Sequence, residues 1–211
     1  MKTNDFIDLL AADSSVRWRF GTIFGVATVS GILIAGTAFF MGIGFRPDIS
    51  HAMESVRFLF KFVVTATLAI GATGTALHLA RPGVPVEQWR WVLAAVPVLL
   101  VDAVAVELIA VPRDAWMKQL VGHNARFCLT LIPLLAIAPL ACLLIALREG
   151  ATTRPGLSGA LAGLAASGIA ATFYAANCTD DSPLFVTTWY PIATLIVVTV
   201  GYLAGRKILK W

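Results

Sequence analysis

Six long apolar runs constrain this chain more than any other feature of its sequence. Each has about 20 residues or more, the length that an α-helix needs to cross about 30 Å of hydrocarbon. Only 13% of the 211 residues are charged, whereas soluble proteins have about 25%. The sequence therefore predicts an all-α polytopic membrane protein with six transmembrane helices. The runs are Gly21–Gly42, Phe58–Ala80, Trp91–Val111, Phe127–Leu147, Gly156–Ala176 and Leu184–Gly205.

The positions of the basic residues predict that the N- and C-termini are both cytoplasmic. With this orientation ten Lys and Arg residues lie on the inner side of the membrane and six on the outer side, which the positive-inside rule favours. The same distribution accounts for the net charge of +4, and no basic run indicates direct nucleic-acid binding. We expect a cytoplasmic segment at residues 1–19 and a single transmembrane domain at residues 20–211.

The segment at residues 1–19 has the features of a short helix that binds a partner protein. A helix of about two or three turns is marginal in isolation, and helices that lie on a membrane usually have a basic polar face. This one is acidic, so we favour a partner with a basic, apolar groove, with a frayed terminus as the alternative. The expected contact residues are Asp5, Phe6, Asp8, Leu9 and Leu10.

Three charged residues lie inside the predicted spans: Lys61 in the second, and Asp102 and Glu107 in the third. An isolated charge in lipid is costly, so each should face protein or water and have a partner. One interpretation is a Lys61–Glu107 ion pair that fixes two neighbouring spans. The other is a proton or ion path through Asp102 and Glu107.

Two cysteines are expected to lie at the same outer face of the membrane. Cys128 opens the fourth span and Cys178 follows the fifth, and a short turn makes these spans antiparallel neighbours. Cys142 lies about 21 Å deeper, at 1.5 Å per residue. The outer pair suits redox or metal sensing, a permanent structural disulfide, or no function at all.

Polar residues near the outer cysteines extend the metal hypothesis. Thiolates and imidazole bind zinc, cadmium or copper ions, and carboxylates can complete the ligand shell. The two aspartates also have a structural interpretation, because acidic residues before the sixth span would cap its helix. The candidate ligands are Cys128, Cys178, His123, Asp180 and Asp181.

Small residues recur at four-residue spacing and predict close helix contacts, because they let backbones approach. The pairs are Gly21 with Gly25, Gly159 with Gly163, and Gly201 with Gly205. Since Ala, Gly and Ser dominate its sequence, the fifth span is expected to be the buried central helix, with a substrate-conducting groove as the alternative.

Several stretches of the chain resemble the NrsF-type (negative regulator of sigma F) family of bacterial membrane anti-sigma factors. The most specific is Cys178-Thr179-Asp180-Asp181-Ser182-Pro183-Leu184-Phe185, followed by Trp189-Tyr190. The others are the acidic start at residues 2–10 and the stretches at 124–128, 132–135 and 146–151. Together they extend the resemblance over essentially the whole chain.

The resemblance implies an inner-membrane protein, without enzymatic activity, that holds an extracytoplasmic-function sigma factor inactive. It implies that Cys128 and Cys178 sense stress such as heavy metals or oxidation, and that the sigma factor contacts the region around Asp5 and Asp8. The tether between Asp13 and the first span is short here, which puts in question whether this segment is the sole contact.

Two other functions compete with this hypothesis. A small metal-ion or proton-coupled transporter would use Asp102, Glu107 and the cysteines as a path, although no internal repeat supports one. A membrane thiol oxidoreductase is disfavoured because the sequence has no CxxC motif.

Overall fold

The computed structural model describes residues 19–81 and 83–209, and within them all regular secondary structure is helical. The predictions for residues 1–18, including the partner-binding segment, lie outside the described residues. The described helices are α1 (Phe20–Gly42), α2 (Ile49–Ala52), α3 (Val56–Leu79), α4 (Glu87–Ala110), α5 (Arg113–Val121), α6 (Ala125–Arg148), α7 (Pro155–Ala175) and α8 (Pro183–Ile208).

The six predicted apolar runs are confirmed as helices, and six helices are long and apolar enough to cross a membrane. Each run falls on one long helix: α1, α3, α4, α6, α7 or α8. Because successive long helices alternate in direction, three connections lie together at one end of the bundle, which we call the cysteine end. These connections are residues 43–55, 111–124 and 176–182.

Helix α7 is the central helix, as its composition predicts. Two thirds of its most apolar stretch (67%) is buried, and it contacts α1, α3, α6 and α8. Its small residues explain this central position, because they let the backbone of α8 approach the backbone of α7 closely. A Cβ atom built on Gly159 would overlap the Gly201 carbonyl oxygen and lie 2.8 Å from the Cα of Gly205.

The same spacing in α1 does not make a helix contact, so that prediction is wrong. A Cβ atom on Gly25 would meet nothing within 4 Å, and one on Gly21 would meet only the Arg81 guanidinium group. Small residues permit close packing, but a facing backbone must be present for the packing to occur.

Helix α4 lies at the edge of the bundle. Only 11% of its most apolar stretch is buried, the smallest share among the six long helices. It packs against α3 and α8, and the rest of its surface faces outward.

Candidate functional site

The two outer cysteines are buried together at the cysteine end. Cys128 lies in the first turn of α6 and Cys178 in the loop between α7 and α8. Both are free thiols, and they lie near each other in the same buried cluster. Cys142 is half-buried in the groove between α1 and α6. The structure thus brings two of the three cysteines together, and their role as sensors stays a prediction.

Two tyrosines enclose the thiols. The Tyr174 hydroxyl donates to the Asn124 carbonyl oxygen at 3.4 Å. The Tyr190 hydroxyl is buried beside Cys178 but makes no hydrogen bond of normal geometry with the described residues. Tyr190 is itself almost completely buried, with only 5% of its surface exposed.

Burial raises the pKa of the Cys178 thiol, and the nearby Lys61 ammonium group counteracts part of that rise. Cys178 is therefore protonated at neutral pH. Since the thiolate is the reactive form, the Cys178 thiol reacts slowly with oxidants while it remains buried.

Lys61 of α3 is fully buried and binds the loop at residues 176–182, which carries Cys178. Its Nζ lies 2.6 Å from the Oδ1 atom of Asp181 and donates to the Cys178 carbonyl oxygen at 2.8 Å. The predicted Lys61–Glu107 pair is wrong, because the loop at residues 176–182 lies nearer to the ammonium group than α4 does. The ion pair ties α3 to the loop rather than to α4.

Arg46 holds the same loop from the side of α1. Its Nη1 is 2.9 Å from Asp181 Oδ2, and its Nε is 2.7 Å from Asp48 Oδ1. The hydrogen bond between Arg46 and Asp48 raises the pKa of the guanidinium group and lowers that of the Asp48 carboxyl. Both groups therefore stay charged over the physiological pH range.

Backbone contacts reinforce the link between α1 and the Cys178 loop. The Arg46 amide donates to the Ala176 carbonyl at 3.2 Å, and the Asn177 side chain donates to the Gly44 carbonyl at 3.1 Å. The segment that leaves α1 and the segment that carries Cys178 are thus joined directly.

Glu107 is buried and connects α4 to two other helices. Its Oε2 atom lies 2.8 Å from Arg57 of α3, and its Oε1 accepts from the Ser182 hydroxyl at 3.0 Å. Ser182 also caps α8, because its hydroxyl accepts from the Leu184 amide at 3.2 Å. All charged groups of this cluster have partners, as their position in an apolar helix bundle demands.

Asp180 binds the backbone just before α6 and does not cap α8, which corrects the predicted cap. Its Oδ2 accepts from the His123 and Asn124 amides at 2.9 and 2.7 Å, at the point where α6 begins. The His123 ring is exposed and lies 3.6 Å from the other carboxylate oxygen.

The five candidate metal ligands do not form one ligand set. No group of three or more His, Cys, Asp or Glu able to hold a metal ion occurs in the part of the chain that the structure describes. Asp180 accepts from the His123 and Asn124 amides, and Asp181 pairs with Lys61 and Arg46. What remains is a pair of thiols, which does not fit a resident metal ion with a complete shell.

The turn between α5 and α6 covers the site. Gly122 has φ +59°, and a Cβ atom there would lie 2.5 Å from the Phe185 ring, so only glycine allows this close approach. Trp189 holds α5 in place by donating from Nε1 to the Leu120 carbonyl at 2.8 Å. Because both thiols are almost completely buried, an oxidant or a metal ion reaches them only when the residues packed around them move.

Asp102 lies apart from the cluster. It is exposed on α4, whereas Glu107 is buried, because five residues turn an α-helix by about 140° beyond a full turn. It makes no ion pair or hydrogen bond with the residues that the structure describes. The two carboxylates therefore do not line one path.

Sequence reasoning assigned no site role to Arg46, Tyr174 or Asn177. Arg46 is an isolated basic residue in the connection after the first span, and Tyr174 precedes Cys178 by four residues. These signals are weak, because the partners of these residues depend on which connections between helices meet at the cysteine end.

Comparisons with known proteins agree with the resemblance. The model of a family described as "Negative regulator of sigma F" matches residues 10–211. The "Anti-sigma-F factor NrsF" of Caulobacter vibrioides is 34% identical, and the alignment covers all of both chains. The "Probable anti-sigma-F factor NrsF" of Azospira oryzae is 32% identical, again over all of both chains. No solved structure matches significantly.

Proposed function

The chain belongs to the NrsF family, the negative regulators of sigma F, and from this we propose a specific signalling role. The protein holds an extracytoplasmic-function sigma factor inactive at the inner membrane. It releases the sigma factor when an oxidant or a soft metal ion reacts with Cys128 and Cys178. It acts by binding and release, not by enzymatic catalysis.

In this proposal the six long helices cross the inner membrane, with both termini in the cytoplasm. The basic residues support this orientation. It directs the cysteine end towards the periplasm, where thiols meet oxidants. The sigma factor contacts the acidic, apolar N-terminal segment through Asp5, Phe6, Asp8, Leu9 and Leu10.

The observation that carries the proposal is the direct connection between the Cys178 loop and α1. Arg46 and Asn177 join the loop to the segment after Gly42, and α1 leads at its other end to the N-terminal segment. A displacement of Cys178 therefore acts on the helix that carries the docking segment. Packed helices shift between discrete arrangements, which converts a small change into a switch.

The chemical step is the oxidation of two thiols by a peroxide. One thiol loses its proton, and the thiolate attacks a peroxide oxygen and expels hydroxide, which takes up that proton; the products are a sulfenic acid and one water molecule. The second thiol then displaces the hydroxyl group as a second water molecule and forms the disulfide. Two electrons pass to hydrogen peroxide. A soft metal ion would instead bind both thiolates and release two protons.

Removal of residues 1–15 is expected to abolish co-purification of a sigma factor from native membranes. The full chain is expected to retain it, because the truncation removes the apolar face and both flanking carboxylates. Asp5→Asn/Asp8→Asn tests the charges alone, and Asp13→Asn, which is not among the predicted contact residues, is the matched control. If no sigma factor accompanies the full chain, the central proposal is wrong.

Cys128→Ser/Cys178→Ser is expected to keep the sigma factor bound under cadmium or peroxide, because the variant can form neither a disulfide nor a dithiolate complex. The readout is a sigma-dependent reporter, and Cys142→Ser is the control that should respond normally. Normal induction in the double variant would exclude the thiols from the mechanism.

A further inference from the structure

The exposed face of α4 carries a regular row of residues around Asp102, which we call the α4 stripe. Its members repeat at intervals of seven, which is the period of helices that pack along their length. All of them are exposed, and together they extend over most of the length of this apolar helix. The stripe consists of Trp91, Ala94, Val98, Val101, Asp102, Ala105 and Ile109.

An ionisable residue such as Asp102 is unfavourable on a helix face that contacts only lipid. It lies eight residues from Ala110 and fifteen from Glu87, or about 12 Å and 22 Å from the helix ends. A carboxyl group on a short side chain does not reach the head groups over these distances. Charged residues at such depth face protein or water, so the α4 stripe needs a polar partner.

We propose that the α4 stripe binds the α4 stripe of a second copy of this chain, with the two Asp102 carboxyl groups in contact. This inference rests on the proposed membrane insertion but not on sigma-factor binding or cysteine sensing. The pair forms a two-fold dimer whose axis runs along the membrane normal.

A second copy fits because it always offers a matching group at the right depth. Two chains inserted in the same orientation place Asp102 at the same level. A carboxylic acid both donates and accepts hydrogen bonds, so two such groups at the same level can bond to each other. One polar residue in an apolar stripe also fixes the register of a helix pair.

No other face of the described chain offers Asp102 a counter-charge. The basic residues embedded in the long helices already have partners: Arg57 pairs with Glu107, and Lys61 with Asp181. The remaining basic residues of these helices lie near helix ends. A contact with Asp102 of a second copy therefore gives this carboxyl group the polar partner that the described part of its own chain does not.

Cysteine cross-linking in isolated native membranes tests the contact. Ala105→Cys and Val98→Cys, in a background with the three native cysteines replaced by serine, are expected to form disulfide-linked dimers on mild oxidation. Val29→Cys, equally exposed but on α1, is the control and should remain monomeric. Membrane fractionation first verifies insertion, so that failure of insertion is distinguished from failure to dimerise.

Asp102 variants test the polar contact itself. Asp102→Leu is expected to weaken self-association about 3- to 30-fold, the range measured for hydrogen bonds between membrane helices. Asp102→Asn, which still donates and accepts, should stay within about two-fold of the wild type, and energy transfer between labelled copies reports both. Absence of α4 cross-links, an unchanged affinity in Asp102→Leu, or a different protein cross-linked at Ala105 would overturn the proposal.

Discussion

Asp181→Asn is expected to lower the free energy of unfolding by about 3 to 5 kcal/mol, the cost of breaking a buried ion pair by removing one partner. The substitution preserves shape but leaves the Lys61 ammonium group, which is fully buried, with neutral acceptors alone and no counter-charge. Detergent-micelle unfolding monitored by tryptophan fluorescence measures the loss.

Two further variants make this prediction specific. Asp48→Asn removes the other carboxylate that pairs with Arg46, but Asp48 is 52% exposed, so we expect little change because exposed ion pairs contribute little. Lys61→Met/Asp181→Asn removes both charges and should be more stable than Asp181→Asn alone. Equal losses in the two Asp→Asn variants would show that burial of Lys61 does not control the effect.

The same variant links stability to the proposed sensor. Because Asp181 and Cys178 share Lys61 and Arg46 as partners, loss of the carboxylate loosens the loop that buries the thiol. Asp181→Asn should therefore react faster with a maleimide at Cys178 and release the sigma factor without stress.

The sequence predicts the helices well because their signal is local. A run of about 20 apolar residues is a helix in a bilayer whatever its neighbours are. The meeting of Cys128 and Cys178 at one end is also predictable, because a short turn makes α6 and α7 antiparallel. Both inferences need only the order of the helices along the chain.

The partners of the charged groups are not predictable in this way. Lys61 pairs with Asp181 rather than Glu107 because the loop after α7 folds over α3, and no local pattern encodes that. Asp180 binds two backbone amides before α6, and Asp181 binds two cations, so neither is free for the expected metal shell. Residue types indicate what a group can bind, whereas tertiary packing decides what it does bind.

The glycine pairs give the sharpest case of this difference. The pairs Gly21/Gly25 and Gly159/Gly163 have identical spacing, but only the second pair lies against a facing backbone. Gly159→Leu is therefore expected to lower the free energy of unfolding by about 3 kcal/mol or more, at or beyond the upper end for overpacked cores. Its side chain would overlap the α8 backbone at Gly201 and Gly205, which no change of rotamer can relieve.

Gly25→Leu is the matched control, since it adds the same side chain to a candidate span where a Cβ meets nothing within 4 Å. Both variants are apolar substitutions of glycine in a helix, so intrinsic helix propensity favours both equally. A comparable loss of stability in the two variants, measured by thermal unfolding in the same detergent, would contradict the close α7–α8 contact. A loss confined to Gly159→Leu would show that this contact holds the central helix in place, and with it the loop that carries Cys178.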